Sequence, residues 1–107
     1  MELKELLQFI ELEDQRLKEY YGNSSTEKER ILSRTVKLTE ELGELCNEVL
    51  AHNKDQRKEK LESHDKNNLS HEFADVLITT LLLAKTMNVD IKEALVNKIE
   101  KINKRYK

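Results

Sequence analysis

At 107 residues, with 19 basic and 21 acidic side chains and a net charge of −2, the chain has the size of one domain and no long-range electrostatic reason to bind nucleic acid or an anionic membrane, which need a concentrated basic surface. Proline is absent, glycine occurs only twice, and the hydrophobic and charged sets each make up 37%. So few helix breakers in a chain dominated by Leu, Glu and Lys exclude an all-β fold and predict an all-α, four-helix-bundle-type domain.

The first segment carries Leu3, Leu7, Ile10, Leu17 and Tyr21 at helical spacing, which predicts an amphipathic helix over about 2–21 that stops at Gly22-Asn23-Ser24-Ser25. Thr26 precedes Glu29 by three positions, the pattern of a capping box, and Ile31, Thr35, Leu38, Leu42, Leu45 and Val49 form the stripe of a longer second helix ending near Ala51. Cys46 on that helix is the only cysteine, which leaves no intrachain disulfide and no zinc spacing; it reads as a small buried apolar residue. Residues 52–69 are polar, without a sustained apolar period, and read as a connection with one helical turn around Leu61. Ser70 can cap a third helix reaching Met87, and the Asp90/Glu93 pair opens a fourth that carries Ile91, Leu95, Ile99 and Ile102. The longest mostly apolar run, Phe73 to Ala84, is too short for a bilayer and contains Asp75; Met1-Glu2-Leu3-Lys4 does not open a signal segment, so a cytoplasmic location with no membrane partner is expected.

Four carboxylates do not fit a plain bundle. Glu41, Glu44 and Glu48 project from one side of the second helix, at the shoulder of its apolar stripe, whereas Glu40 points further out as a solvated charge. The third helix is apolar around nearly its whole circumference, as a helix enclosed by others would be, and Glu72, Asp75 and Thr79 lie along its one narrow polar stripe. Carboxylates there are costly to desolvate unless a cation pairs with them. Two oxygen pairs, Glu41 with Glu44 and Glu72 with Asp75, would make a hard anionic site suited to Mg²⁺ or Mn²⁺. Neither pair ends in His, which argues against a di-iron site, and Asp75 stands where an HExxH zinc motif needs its second His. His71 then reads as a first-turn helix residue, and His52 and His64 as exposed residues without a role. Lys98, Lys101 and Arg105 border the apolar stripe of the fourth helix, and Lys54, Arg57 and Lys58 in the connection are further phosphate-binding candidates.

At these residues the chain resembles the MazG-like, all-α nucleoside triphosphate pyrophosphohydrolase superfamily. Lys37-Leu38-Thr39-Glu40-Glu41-Leu42-Gly43-Glu44-Leu45 is similar to its EExxE segment, and Glu72-Phe73-Ala74-Asp75-Val76-Leu77 to its ExxD segment. The resemblance implies one domain over 1–107, with a variable N-terminal helix and a motif-bearing core at about 30–106. It implies a Mg²⁺-dependent hydrolase, with Mn²⁺ as a substitute, that cleaves a nucleoside triphosphate between the α and β phosphates to give monophosphate and pyrophosphate. By position Glu41, Glu44, Glu72 and Asp75 would be its metal ligands, with Glu44 or Glu41 taking the proton of the attacking water. Lys98, Asn103 and Arg105 are similar to the substrate-binding residues near the end of such domains, although Ile102 stands where dCTP-hydrolysing members would place Asn. A homodimer or homotetramer is expected, because three neighbouring helices are hard pressed to cover the third. The competing readings are phosphoribosyl-ATP pyrophosphohydrolase and a helical interaction module whose carboxylates pair with Lys or Arg.

Overall fold

The computed structural model describes residues 1–22, 25–53 and 66–106. The expected turn around Leu61, the basic residues Lys54, Arg57 and Lys58, and His64 lie outside the described residues. Among the described residues the chain is all-α, with no strand: α1 spans Leu3–Tyr21, α2 Glu27–His52, α3 Lys66–Thr86 and α4 Ile91–Asn103, followed by a 3₁₀ turn at Lys104–Tyr106. No described helix is long and apolar enough to cross a membrane.

Local chemistry sets the helix ends. Gly22 ends α1 at φ 88°, a left-handed conformation in which a Cβ would be strained. The capping box at α2 is made in full: the Glu29 amide donates to Thr26 Oγ1 at 3.1 Å, and the Thr26 amide donates to Glu29 Oε1 at 3.3 Å. At α4 the Glu93 amide donates to Asp90 Oδ1 at 3.1 Å. Between α3 and α4 the chain turns through Asn88 at φ 57°. The Val89 amide there donates to the Ala84 carbonyl at 2.9 Å and the Asn88 amide to that of Lys85 at 3.1 Å, so a Schellman motif closes the helix without a glycine.

One expected boundary is corrected. Ser70 does not cap α3; it is exposed inside a helix that begins at Lys66. Leu69 is half-buried four positions before Phe73, so the apolar period runs back through a segment whose Asn and Ser residues had suggested a loop.

The described residues form two compact units. The first comprises Met1–Ile31 with Leu81–Lys107. In it Ile10 and Leu82 are buried, buried Asp14 pairs with Lys18 at 3.1 Å, and Lys85 Nζ donates to Glu11 Oε2 at 3.0 Å across two helices. The second unit is Leu32–Thr80, built from most of α2 and of α3, and it holds both acidic motifs. Apolar burial is sparse: Ile10, Ala51 and Leu82 are the buried hydrophobic residues among those described. The third helix is not enclosed within one chain, since Phe73 is 51% and Leu77 63% exposed. Cys46, expected to be buried, is exposed, because it lies on the side of α2 opposite Glu41.

Candidate metal centre

On α2 a rotation of about 100° per residue puts Glu41 and Glu48 within about 20° of each other and Glu44 about 60° to one side. Exposure follows that rotation: Glu41 and Glu48 are buried and Glu44 is exposed. From α3, Glu72 is half-buried, Thr79 buried and Asp75 exposed. Glu41, Glu72 and Asp75 each bring a carboxylate oxygen to a common point, all three within 4.8 Å of one another. Three of the four expected ligands therefore converge, and Glu44 lies outside that group.

Several features mark the cluster as under electrostatic load. Oε2 of Glu41 and Oε2 of Glu72 are shielded from solvent and accept no hydrogen bond among the described residues. Such atoms are costly unless a cation or a donor reaches them. Partial burial raises the Glu72 carboxyl above the ordinary glutamate value, and the negative charges of Glu44, Asp75, Glu41 and Glu48 add to the rise. Glu41 is relieved on one oxygen, where Lys37 Nζ stands 3.1 Å from Oε1; the same ammonium is 3.7 Å from Glu40 Oε2. That contact with Glu41 is the main reason the Lys37 ammonium is held above its ordinary value.

Three oxygen donors, two of them with an unsatisfied shielded atom, fit a hard divalent cation. Two residues add to the expected set. Glu48 is buried on the same side of α2 as Glu41 and faces His52, whose Nε2 is 3.8 Å from Glu48 Oε2. The seven-residue step from Glu41 to Glu48 carried that signal in the sequence. Lys37 is the second: its four-residue step to Glu41 places a cation at the cluster. Lys98, Asn103 and Arg105 are exposed on α4 and the 3₁₀ turn, in the first unit.

Fold and site together define an all-α domain with an acidic, oxygen-only centre. Residues 29–107 match the family profile of the MazG nucleotide pyrophosphohydrolase domain, and the chain belongs to that family. Membership places it among hydrolases acting on phosphorus anhydrides of nucleotides, in a family generally dependent on a divalent metal. No curated protein and no solved structure matches the chain.

Proposed function

We propose that the chain is a single-domain, Mg²⁺-dependent nucleoside triphosphate pyrophosphohydrolase that converts a (d)NTP to (d)NMP and pyrophosphate, in house-cleaning or nucleotide-pool control in the cytoplasm. The observation that carries this reading is the convergence of Glu41, Glu72 and Asp75, with a shielded, unsatisfied oxygen on Glu41 and on Glu72. These three residues hold the ion, and Glu44, exposed beside them, completes the acidic set. When bound, the ion neutralises phosphate oxygens and acidifies a water.

The chain's own groups do the rest. Glu44 takes the proton of the attacking water, because its carboxylate is exposed while Glu41 is engaged by Lys37. Glu41 remains the alternative base. Lys98, Asn103 and Arg105 bind the nucleotide, their cationic and amide donors matching phosphate and sugar oxygens. Sparse apolar burial supports a homodimer or homotetramer.

A nucleotide panel with Mg²⁺, read by product chromatography, tests the reaction. The expected products are a monophosphate and pyrophosphate, with ¹⁸O from labelled water in the monophosphate. Orthophosphate and a diphosphate as first products would overturn the assigned bond. Glu72→Gln and Asp75→Asn should each abolish turnover and weaken Mn²⁺ binding while the helical circular dichroism spectrum is kept. Full activity of native protein in excess chelator would remove the metal from the reading.

A further inference from the structure

The geometry points to Lys37 as a phosphate-binding residue of the loaded enzyme, its ammonium held against Glu41 in the metal-free protein and given up to the nucleotide's phosphate chain once the ion is bound. This deepens the proposed reaction and rests on the same metal centre. On α2 Lys37 stands one helical turn before Glu41, so the two side chains share a side of the helix. Its Nζ is 3.1 Å from Glu41 Oε1 and 3.7 Å from Glu40 Oε2. The two members of the closer pair differ in environment: the Lys37 side chain is 58% exposed and that of Glu41 10%. The ammonium therefore stands on the solvent side of a carboxylate that is itself enclosed. Oε2 of Glu41 is shielded and accepts no hydrogen bond among the described residues, and the residue brings a carboxylate oxygen within 4.8 Å of those of Glu72 and Asp75. One carboxylate thus joins the ammonium to the cluster.

The ammonium and a divalent ion compete for the same charge. An ion held by these carboxylates gives Glu41 a counter-charge twice that of Lys37, and the two cations repel each other. Letting go costs Lys37 little, because ion pairs open to water are weak and its stem is flexible. Glu41 stays engaged, by the ion in place of the ammonium. A nucleoside triphosphate carries more negative charge than one divalent ion neutralises, and it arrives from solvent, where the ammonium stands. Lysine binds phosphate as a point charge with three rotatable donors, which suits a head that changes partners.

Lys37 also belongs to the same compact unit as the cluster, Leu32–Thr80, whereas Lys98 and Arg105 belong to the other. The competing account is a fixed salt bridge that only steadies α2. It predicts no change in anion binding when Lys37 is lost.

Two titrations of the full chain separate these accounts. With Mn²⁺ and no nucleotide, Lys37→Met should bind the ion about tenfold more tightly than native protein, because a positive charge beside the ligands is gone. In excess Mn²⁺, inorganic tripolyphosphate supplies the phosphate chain without base or sugar, and Lys37→Met should bind it about tenfold more weakly. Lys37→Gln should repeat both shifts, and Lys37→Arg, which keeps the charge, should stay within about threefold of native protein in both. Circular dichroism should show every variant helical, since Met, Gln and Arg are good helix formers at an exposed position. The opposite signs are diagnostic: a damaged fold weakens both ligands, and a fixed salt bridge leaves tripolyphosphate binding unmoved. Mn²⁺ binding by Lys37→Met and Lys37→Gln that is no tighter than native, tripolyphosphate binding that is unchanged in them or absent from native protein, or a Lys37→Arg chain that behaves as Lys37→Met would each overturn the proposal. Neither titration involves turnover. A chain that hydrolyses no nucleotide yet shows both shifts loses the proposed reaction and keeps this assignment, and an active chain without the shifts loses this assignment alone.

Discussion

Glu72 carries a charge that weakens the metal-free fold around it. Partial burial, and then the neighbouring charges of Glu44, Asp75, Glu41 and Glu48, hold its carboxyl above the ordinary range. The folded state therefore binds the proton more tightly than the unfolded chain does. Its contribution to stability is complete below the unfolded value and is lost as pH rises through the raised folded value. In chelator, Glu72→Gln should raise the thermal midpoint at pH 7 to 8, and the gain should shrink toward pH 4; thermal melts across that interval check the slope. Lys37 acts in the opposite sense. Replacing it with Met removes the cation 3.1 Å from the buried Glu41 carboxylate and should destabilise the metal-free protein by about 1 kcal/mol, read from urea unfolding. Mn²⁺ should restore part of that loss, because it substitutes for the missing cation.

At the scale of elements, the helix ends were more legible than the helix environments. The Thr26/Glu29 box and the Asp90 cap were readable because a side chain three residues away is geometrically committed to the first-turn amide. Thr26→Ala and Asp90→Ala should each lower unfolding free energy by about 1 kcal/mol in denaturant titrations. The start of α3 was misread because Asn and Ser are compatible with both loops and exposed helix positions, and only burial of Leu69 shows which applies. The turn at Asn88 was not anticipated: a left-handed cap formed by Asn leaves a weaker mark in sequence than one formed by Gly. Cys46 was expected inside on its small apolar character alone, and residue type does not say which side of a long helix faces inward.

At the scale of the whole molecule, Ile10, Ala51 and Leu82 are the buried hydrophobic residues among those described, and the proposed self-association would add apolar burial to theirs. If copies associate, thermal stability is linked to concentration by mass action. The melting midpoint should rise by several degrees between about 2 and 200 μM protein, and differential scanning at several concentrations would show a flat response if the chain is self-sufficient.

Composition and spacing by themselves determined the all-α class, the four helices among the described residues, two of their caps and the two acidic motifs, because each of these depends on neighbours within a turn or two of the chain. Tertiary structure decided what spacing leaves open. It brought Glu41 of one helix within 4.8 Å of Glu72 and Asp75 of another, and left Glu44 in solvent. It buried Glu48 beside His52, and it turned Leu32, Val36 and Leu50 outward. The reason is physical: a helix sequence specifies angles about its own axis, and only packing against another helix decides which of those angles meets a carboxylate, a side chain or water.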